Sequence, residues 1–181
     1  TLFIANCVTA LHKAIKKSRS QRNASSKKVV AITGVSGTMG GEALKYIMKT
    51  NRFRCVVLLR DSKRNKKIKK SLENSYGSGI EVIIGDIIDR KDCDLLVAKS
   101  DYIIHCAAII PPKSDHDPMG AMESNFIGTK NIVDAINESN RKNSIKLVHI
   151  GTVAQYGNRN WKHPWGRVGD PLLPSTYDFY G

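Results

Sequence analysis

Several things are scarce in this chain, and each scarcity excludes something. Nowhere do eighteen apolar residues run together, which excludes a transmembrane helix. Cysteine occurs only four times in 181 residues, at positions 7, 55, 93 and 106, with no CxxC pair. That count excludes a disulfide-stapled scaffold and points to a reduced, cytoplasmic setting. His and Cys fall at spacings that match no zinc pattern, so no metal is expected. No repeat at a solenoid period is visible. Acids are few, with 16 Asp and Glu against 29 Lys and Arg, and the net charge is +13. What is plentiful is core-forming material. Hydrophobic residues make up 41 % and charged residues 25 %, so the chain is not disordered. At 20.0 kDa it suits one domain, or a little more.

The charge is local. Residues 1–28 carry seven basic groups and no acid, and residues 61–73 carry six basic groups and two acids. Residues 74–181 carry eleven basic groups and thirteen acids. A nucleic-acid binder is expected to spread its basic face over the folded body, so nucleic acid is not an expected partner.

Position 1 is Thr, and the sequence is expected to be part of a longer or processed protein. Ile4, Cys7, Val8, Leu11 and Ile15 recur on one face of a helix. Such a basic amphipathic segment suits either a membrane surface or a packed helix, and packing on the domain or a neighbour is the expectation. Lys16–Lys28 is basic and aperiodic, a linker. The domain division is therefore 1–28 as helix and linker, and 29–181 as the folded unit.

Along that unit, short apolar runs at 28–33, 54–59, 80–84, 101–106 and 145–150 predict strands. Helices are expected over 41–50, 89–99 and 117–140, with 62–74 a basic helix or loop. Strands that are apolar throughout and alternate with helices indicate a parallel sheet covered on both faces. The fold class is α/β, a Rossmann-type doubly wound sheet.

The strongest motif is Gly34-Val35-Ser36-Gly37-Thr38-Met39-Gly40, a GxxGxxG run between a predicted strand and a predicted helix. That context marks a dinucleotide site. Gly34 allows the tight turn, Gly37 lets backbone approach a pyrophosphate, and Gly40 lets the helix pack closely. The N–H groups of the helix start, around Ser36, Thr38 and Met39, offer positive charge to the anion. At the end of the second strand stands Arg60, followed by Asp61, Ser62, Lys63, Arg64 and Lys67. A guanidinium there suits a 2′-phosphate, while an acid suits a ribose 2′-OH. Either Arg60 meets phosphate or Asp61 takes the ribose.

The GxxGxxG spacing, with the motifs that follow it, resembles the extended branch of the short-chain dehydrogenase/reductase family, the NAD-dependent epimerase/dehydratase type. The resemblance runs from about Val29 to Gly181. It implies a cofactor-binding part with most of the substrate domain absent. It implies NADP as cofactor from Arg60, with NAD as the alternative. Asp86, beside Ile87, is implied to face the adenine, unless it is a plain loop acid. Cys106, Ala107 and Ala108 are the small residues over which the cofactor lies. Asn125, in an N-x-x-G-T run, is implied to brace the active-site strand. Thr152, where the family more often has Ser, is implied to hydrogen-bond the reacting carbonyl or alcohol. Tyr180-Gly181 is similar to the start of a YxxxK motif, which makes Tyr180 the general acid/base. Its partner Lys falls at position 184, past the sequence, so this chain alone is expected to be inactive. A free phenol is too weak an acid for this work without that charge. The loop 158–174, with two Trp and several bases, suits a substrate mouth or a plain surface loop.

Three readings follow. The first is an NAD(P)-dependent oxidoreductase, or a nucleotide-sugar epimerase or dehydratase, acting on a small-molecule nucleotide sugar or carbonyl compound. The second is a non-catalytic dinucleotide-binding or sensing module. The third is an interaction protein acting through its basic arm. The resemblance also implies a helix-mediated homodimer.

Overall fold

The computed structural model describes residues 27–157 and 168–172. Tyr180, most of the 158–174 loop and the amphipathic run 2–15 lie outside the described residues. Five strands form one parallel sheet: β1 (Lys28–Thr33), β2 (Phe53–Leu59), β3 (Ile80–Ile84), β4 (Tyr102–His105) and β5 (Lys146–His149). Their spatial order is β3-β2-β1-β4-β5. β1 is central, with Val30 paired to Cys55 on one side and to Tyr102 on the other. The order reverses at β1, so a crevice opens beyond the strand ends there.

Helices cover both faces. α1 (Thr38–Lys49) and α2 (Lys63–Tyr76) lie on one side, and α3 (Arg90–Ala98) and α6 (Gly128–Glu138) on the other. Successive strand residues point to opposite faces. Val30, Ile32, Val57 and Leu59 therefore join Leu44 and Ile47 of α1 in one core cluster. Ala31, Val56, Leu58 and Ile103 join Leu96 and Ile132 in the second. Each fully buried side chain of this size contributes about 1.5–3 kcal/mol. Phe53 and Tyr102 meet edge to face with centroids 6.2 Å apart.

Local chemistry sets the helix ends. Ser62 starts α2 by accepting the Asn65 N–H at 3.1 Å, and Gly77 at φ +50 ends it. Asp89 starts α3 by accepting the Lys91 N–H at 2.8 Å. The segment 62–74, open between helix and loop in the sequence, is a helix because Ile68, Leu72 and Tyr76 recur on one face and pack on the core.

The single helix expected over 117–140 is three pieces. α4 (Lys113–His116) precedes α5 (Pro118–Met122), then one π-helical stretch (Glu123–Ile127), then α6. Met122, the last residue of α5, and Phe126, within the π stretch, face outward and are 49 % and 62 % exposed. β5 also departs from expectation. It is one edge of the sheet and its ends Lys146 and His149 are exposed, while Leu147 packs on the second core cluster and Val148 on the first.

Candidate functional site

The crevice at the strand ends is a cleft of about 250 Å³. Its floor is the glycine turn after β1. Gly34 has φ +73, and a Cβ there would stand 2.7 Å from the Ala107 nitrogen. A Cβ on Gly40 would stand 2.4 Å from the Gly34 oxygen. Both positions are glycine because the protein's own backbone fills the space. Gly37 differs. Its φ is −96, open to any residue, and a Cβ there would meet only the Gly34 oxygen at 3.4 Å, an ordinary contact. The protein's packing does not require glycine at 37, and the space that it leaves opens on the cleft. Gly37 is also the cap of α1, and no side chain caps that helix start. The first-turn N–H groups and the helix dipole thus face a site fit for an anion.

Arg60 and Arg64 line one end of the cleft with Asn65. Arg64 Nη2 donates to the Ser36 carbonyl at 3.2 Å, so its guanidinium reaches across to the glycine turn. Buried Asn65 fixes the Arg60 backbone by donating from Nδ2 to its carbonyl at 2.9 Å. Asp61 does not line the cleft; its carboxylate pairs with Lys66 at 2.7 Å. Beside that end of the cleft, after β3, Asp86 Oδ1 accepts the Ile88 N–H at 3.3 Å. Asn131 holds the same turn, donating from Nδ2 to the carbonyls of Ile87 and Ile88 at 3.0 Å each.

Behind the cleft lies a directed chain of hydrogen bonds. Thr33 Oγ1 accepts the N–H groups of Cys106 at 3.2 Å and Ala107 at 3.1 Å. With both lone pairs taken, its proton goes to His105 Nδ1 at 2.7 Å. The neutral ring therefore carries its hydrogen on Nε2, which donates to Thr129 Oγ1 at 2.9 Å. Thr129 in turn donates to the Asn125 carbonyl at 2.6 Å. A second ring proton would point at an oxygen with no free lone pair. Burial, with the stacked His149 adding like charge 5.5 Å away, pushes the His105 pKa down to about 4. His105 is thus a packed neutral histidine that joins β1, β4 and the Asn125 stretch.

Gly34, Ser36, Gly37, Arg60, Asp86, Ile87, Cys106, Ala107 and Ala108 all line the cleft. Thr38, Met39, Gly40, Asp61 and Lys63 stand beside it without lining it. Thr152 is half-buried; its Oγ1 accepts the Ala154 N–H at 3.1 Å, and it does not line the cleft. Leu58, Leu59, Asn65, Gly85, Ile109 and Ser124 also line it; of these Gly85 adjoins the Asp86 turn and Ser124 the N-x-x-G-T run, and the others carried no sequence signal of their own. Among the described residues, no group of three or more His, Cys, Asp or Glu is placed to hold a metal.

A family model described as the NAD dependent epimerase/dehydratase family matches residues 30–170. The chain belongs to that family. A UDP-glucose 4-epimerase of Mycoplasma genitalium is 32 % identical over 131 residues, which is 71 % of this chain and 37 % of that enzyme. The chain therefore spans little more than a third of this relative's length. The solved UDP-Glc/GlcNAc 4-epimerase of Campylobacter jejuni is 25 % identical with TM-score 0.68, over 85 % of this chain and 45 % of that one. The Bordetella bronchiseptica enzyme WbmH, solved with NAD+, is 22 % identical with TM-score 0.67, over 86 % and 49 %. This last likeness bears on the fold alone.

Proposed function

We propose that residues 29–181 are the dinucleotide-binding part of a nucleotide-sugar epimerase or dehydratase, acting in the cytoplasm, with residues 1–28 as an arm. The carrying observation is Gly37, a glycine that packing does not require, at an uncapped helix start facing a cleft. The residues present fit a dinucleotide. The amides of the glycine turn hold the diphosphate. The Asp86 carboxylate accepts from the adenine amine, and Cys106, Ala107 and Ala108 give the nicotinamide half a flat bed. The chemistry that the cofactor supplies there is hydride transfer. Thr152 is the hydroxyl that hydrogen-bonds the reacting oxygen, and Tyr180 is the group that moves its proton.

Arg60 and Arg64 in the lining, with Asp61 already paired, support NADP(H) as the form held. A second reading, NAD, is favoured by the family description. Titrating the chain with NADPH and with NADH, followed by nicotinamide fluorescence, tests both. Tighter NADPH supports the arginine reading, tighter NADH the second, and binding of neither overturns the dinucleotide site. The substrate reading rests on the relatives' names, and a homodimer is implied by the family resemblance alone.

A further inference from the structure

The turn after β3 carries Asp86 to the cleft, and side chains from two different helices hold it. Its start is tied to β2, where the Gly85 N–H donates to the Leu59 carbonyl at 3.0 Å. The Asp86 N–H then donates to Asp92 Oδ2, in the first turn of α3, at 2.8 Å. The Asp86 carbonyl accepts the Asp89 N–H at 3.0 Å. The next two carbonyls, of Ile87 and Ile88, both accept from Asn131 Nδ2 of α6, and Cys93 Sγ also donates to Ile87 at 3.2 Å. Asp86 is therefore fixed at both of its peptide groups. Its Oδ1 is turned back on the Ile88 N–H, which leaves Oδ2 to accept from a ligand.

Asp92 is not needed to start its helix, because Asp89 already caps α3 through the Lys91 N–H. Among the described residues Asp92 makes no ion pair, and its one hydrogen bond goes to Asp86. The carboxylate fills the space beside residue 85: a Cβ there would stand 2.5 Å from Asp92 Cγ. The Gly85 backbone lies outside the left-handed region, so its conformation alone does not call for glycine. Gly85 and Asp92 are thus a matched pair. Gly128 does the same for the second clamp. A Cβ on it would stand 2.6 Å from Ile87 Cδ1, so its absence lets α6 come close enough for Asn131 to reach the turn.

Recognition of a base by its amine is directional, since a hydrogen bond weakens steeply as it bends. A carboxylate on a free turn loses conformational freedom when it binds, whereas one on a clamped turn is already aimed. We propose that Asp92 and Asn131 are positioning residues for base recognition: they hold the 85–88 turn so that the Asp86 carboxylate tells adenine from a base without the amine. The proposal rests on the reading that Asp86 meets the adenine amine.

The test is a ratio of affinities, for the reduced adenine dinucleotide and for its hypoxanthine analogue, in whichever of the NADH and NADPH forms the full chain binds more tightly. The two ligands share the diphosphate and the nicotinamide, and a carbonyl oxygen replaces the amine in the second. Wild type should prefer adenine at least about tenfold, and Asp86→Ala should bring the ratio close to one. Asp92→Ala and Asn131→Ala should each lower the ratio at least about threefold. Asp92→Asn, which keeps an acceptor oxygen, should restore most of it. Gly85→Ala, which displaces the Asp92 carboxylate, should lower it as Asp92→Ala does, and it carries the test should the other variants fail to fold. A merely structural role would weaken both ligands together and leave the ratio at its wild-type value. That result in one alanine variant removes its residue from the role, and in all of them it overturns the proposal while the Asp86 reading stands. No preference in wild type, or a ratio untouched by Asp86→Ala, overturns the Asp86 reading and the clamp with it.

Discussion

Asn125 closes both ends of its amide on the backbone of Ile109. Its Oδ1 accepts the Ile109 N–H at 2.7 Å, and its Nδ2 donates to the Ile109 carbonyl at 2.8 Å. A side-chain amide offers that donor and acceptor together on adjacent atoms. The bracket fixes the segment after β4, where Cys106–Ile109 line the cleft. Asn125→Asp keeps the size but loses the donor. It should lower stability by about 1–2 kcal/mol in denaturant unfolding and weaken cofactor binding, whereas Ser124→Ala should leave stability within about 0.5 kcal/mol.

Gly34 and Gly37 should separate cleanly when each is changed to alanine. Gly34→Ala forces a Cβ into the Ala107 backbone at positive φ and should cost about 2 kcal/mol or more of stability. Gly37→Ala has room and should keep the unfolding midpoint near wild type. It should still weaken dinucleotide binding at least about tenfold, because the added methyl stands where the diphosphate approaches. Intact binding by a well-folded Gly37→Ala protein would remove the central argument for the site.

Arg60→Glu should weaken NADPH at least about tenfold and leave NADH within about threefold, since it reverses charge only where a 2′-phosphate would sit. Parallel titrations of both nucleotides check it, and equal losses would return the choice to NAD.

His105 predicts a pH dependence. Its folded pKa of about 4 lies below the ordinary 6.5, so the unfolded state binds the proton more readily. The stabilisation is complete above about pH 6.5 and drains away as pH falls towards 4. At the depth of that shift it is on the order of 3 kcal/mol. His105→Asn should flatten this slope of unfolding free energy between pH 6.5 and 4, while costing stability at pH 7 by leaving the Thr33 or Thr129 hydroxyl short of a partner. A slope unchanged in the variant would assign the effect elsewhere.

The thiols should differ in reactivity. Burial pushes Cys55 and Cys93 up to about 12, which leaves them as unreactive thiols at neutral pH. Cys106 is half-buried and lines the cleft. In a Cys7→Ser background, N-ethylmaleimide should modify Cys106 first, and bound nucleotide should slow that reaction. Peptide mapping after timed quenching reads it directly.

Much of this was legible in the sequence because it is periodic or local. Apolar runs such as 28–33 and 80–84 gave strands within a residue or two, and the glycine turn announced itself by spacing. The failures have physical causes. α1 begins at Thr38, inside the glycine run, because tertiary contact with Gly34 compensates the poor helix propensity of Gly40 and Gly41. The π stretch at Glu123–Ile127 inserts an extra residue into the helix, and no periodicity count anticipates where that falls. Asn65 enters the cleft because the start of α2 stands at the strand ends. That placement belongs to the sheet order rather than to any local motif.

The central place of β1 has a consequence for synthesis. It is the earliest strand among the described residues, yet its second neighbour, β4, ends at His105. As the chain leaves the ribosome, β1 pairs with β2 and then waits, with the other flank of Val30 and Ile32 bare, for about fifty more residues. That interval is when the nascent protein most needs a chaperone, and slowing translation before Tyr102 should lengthen it.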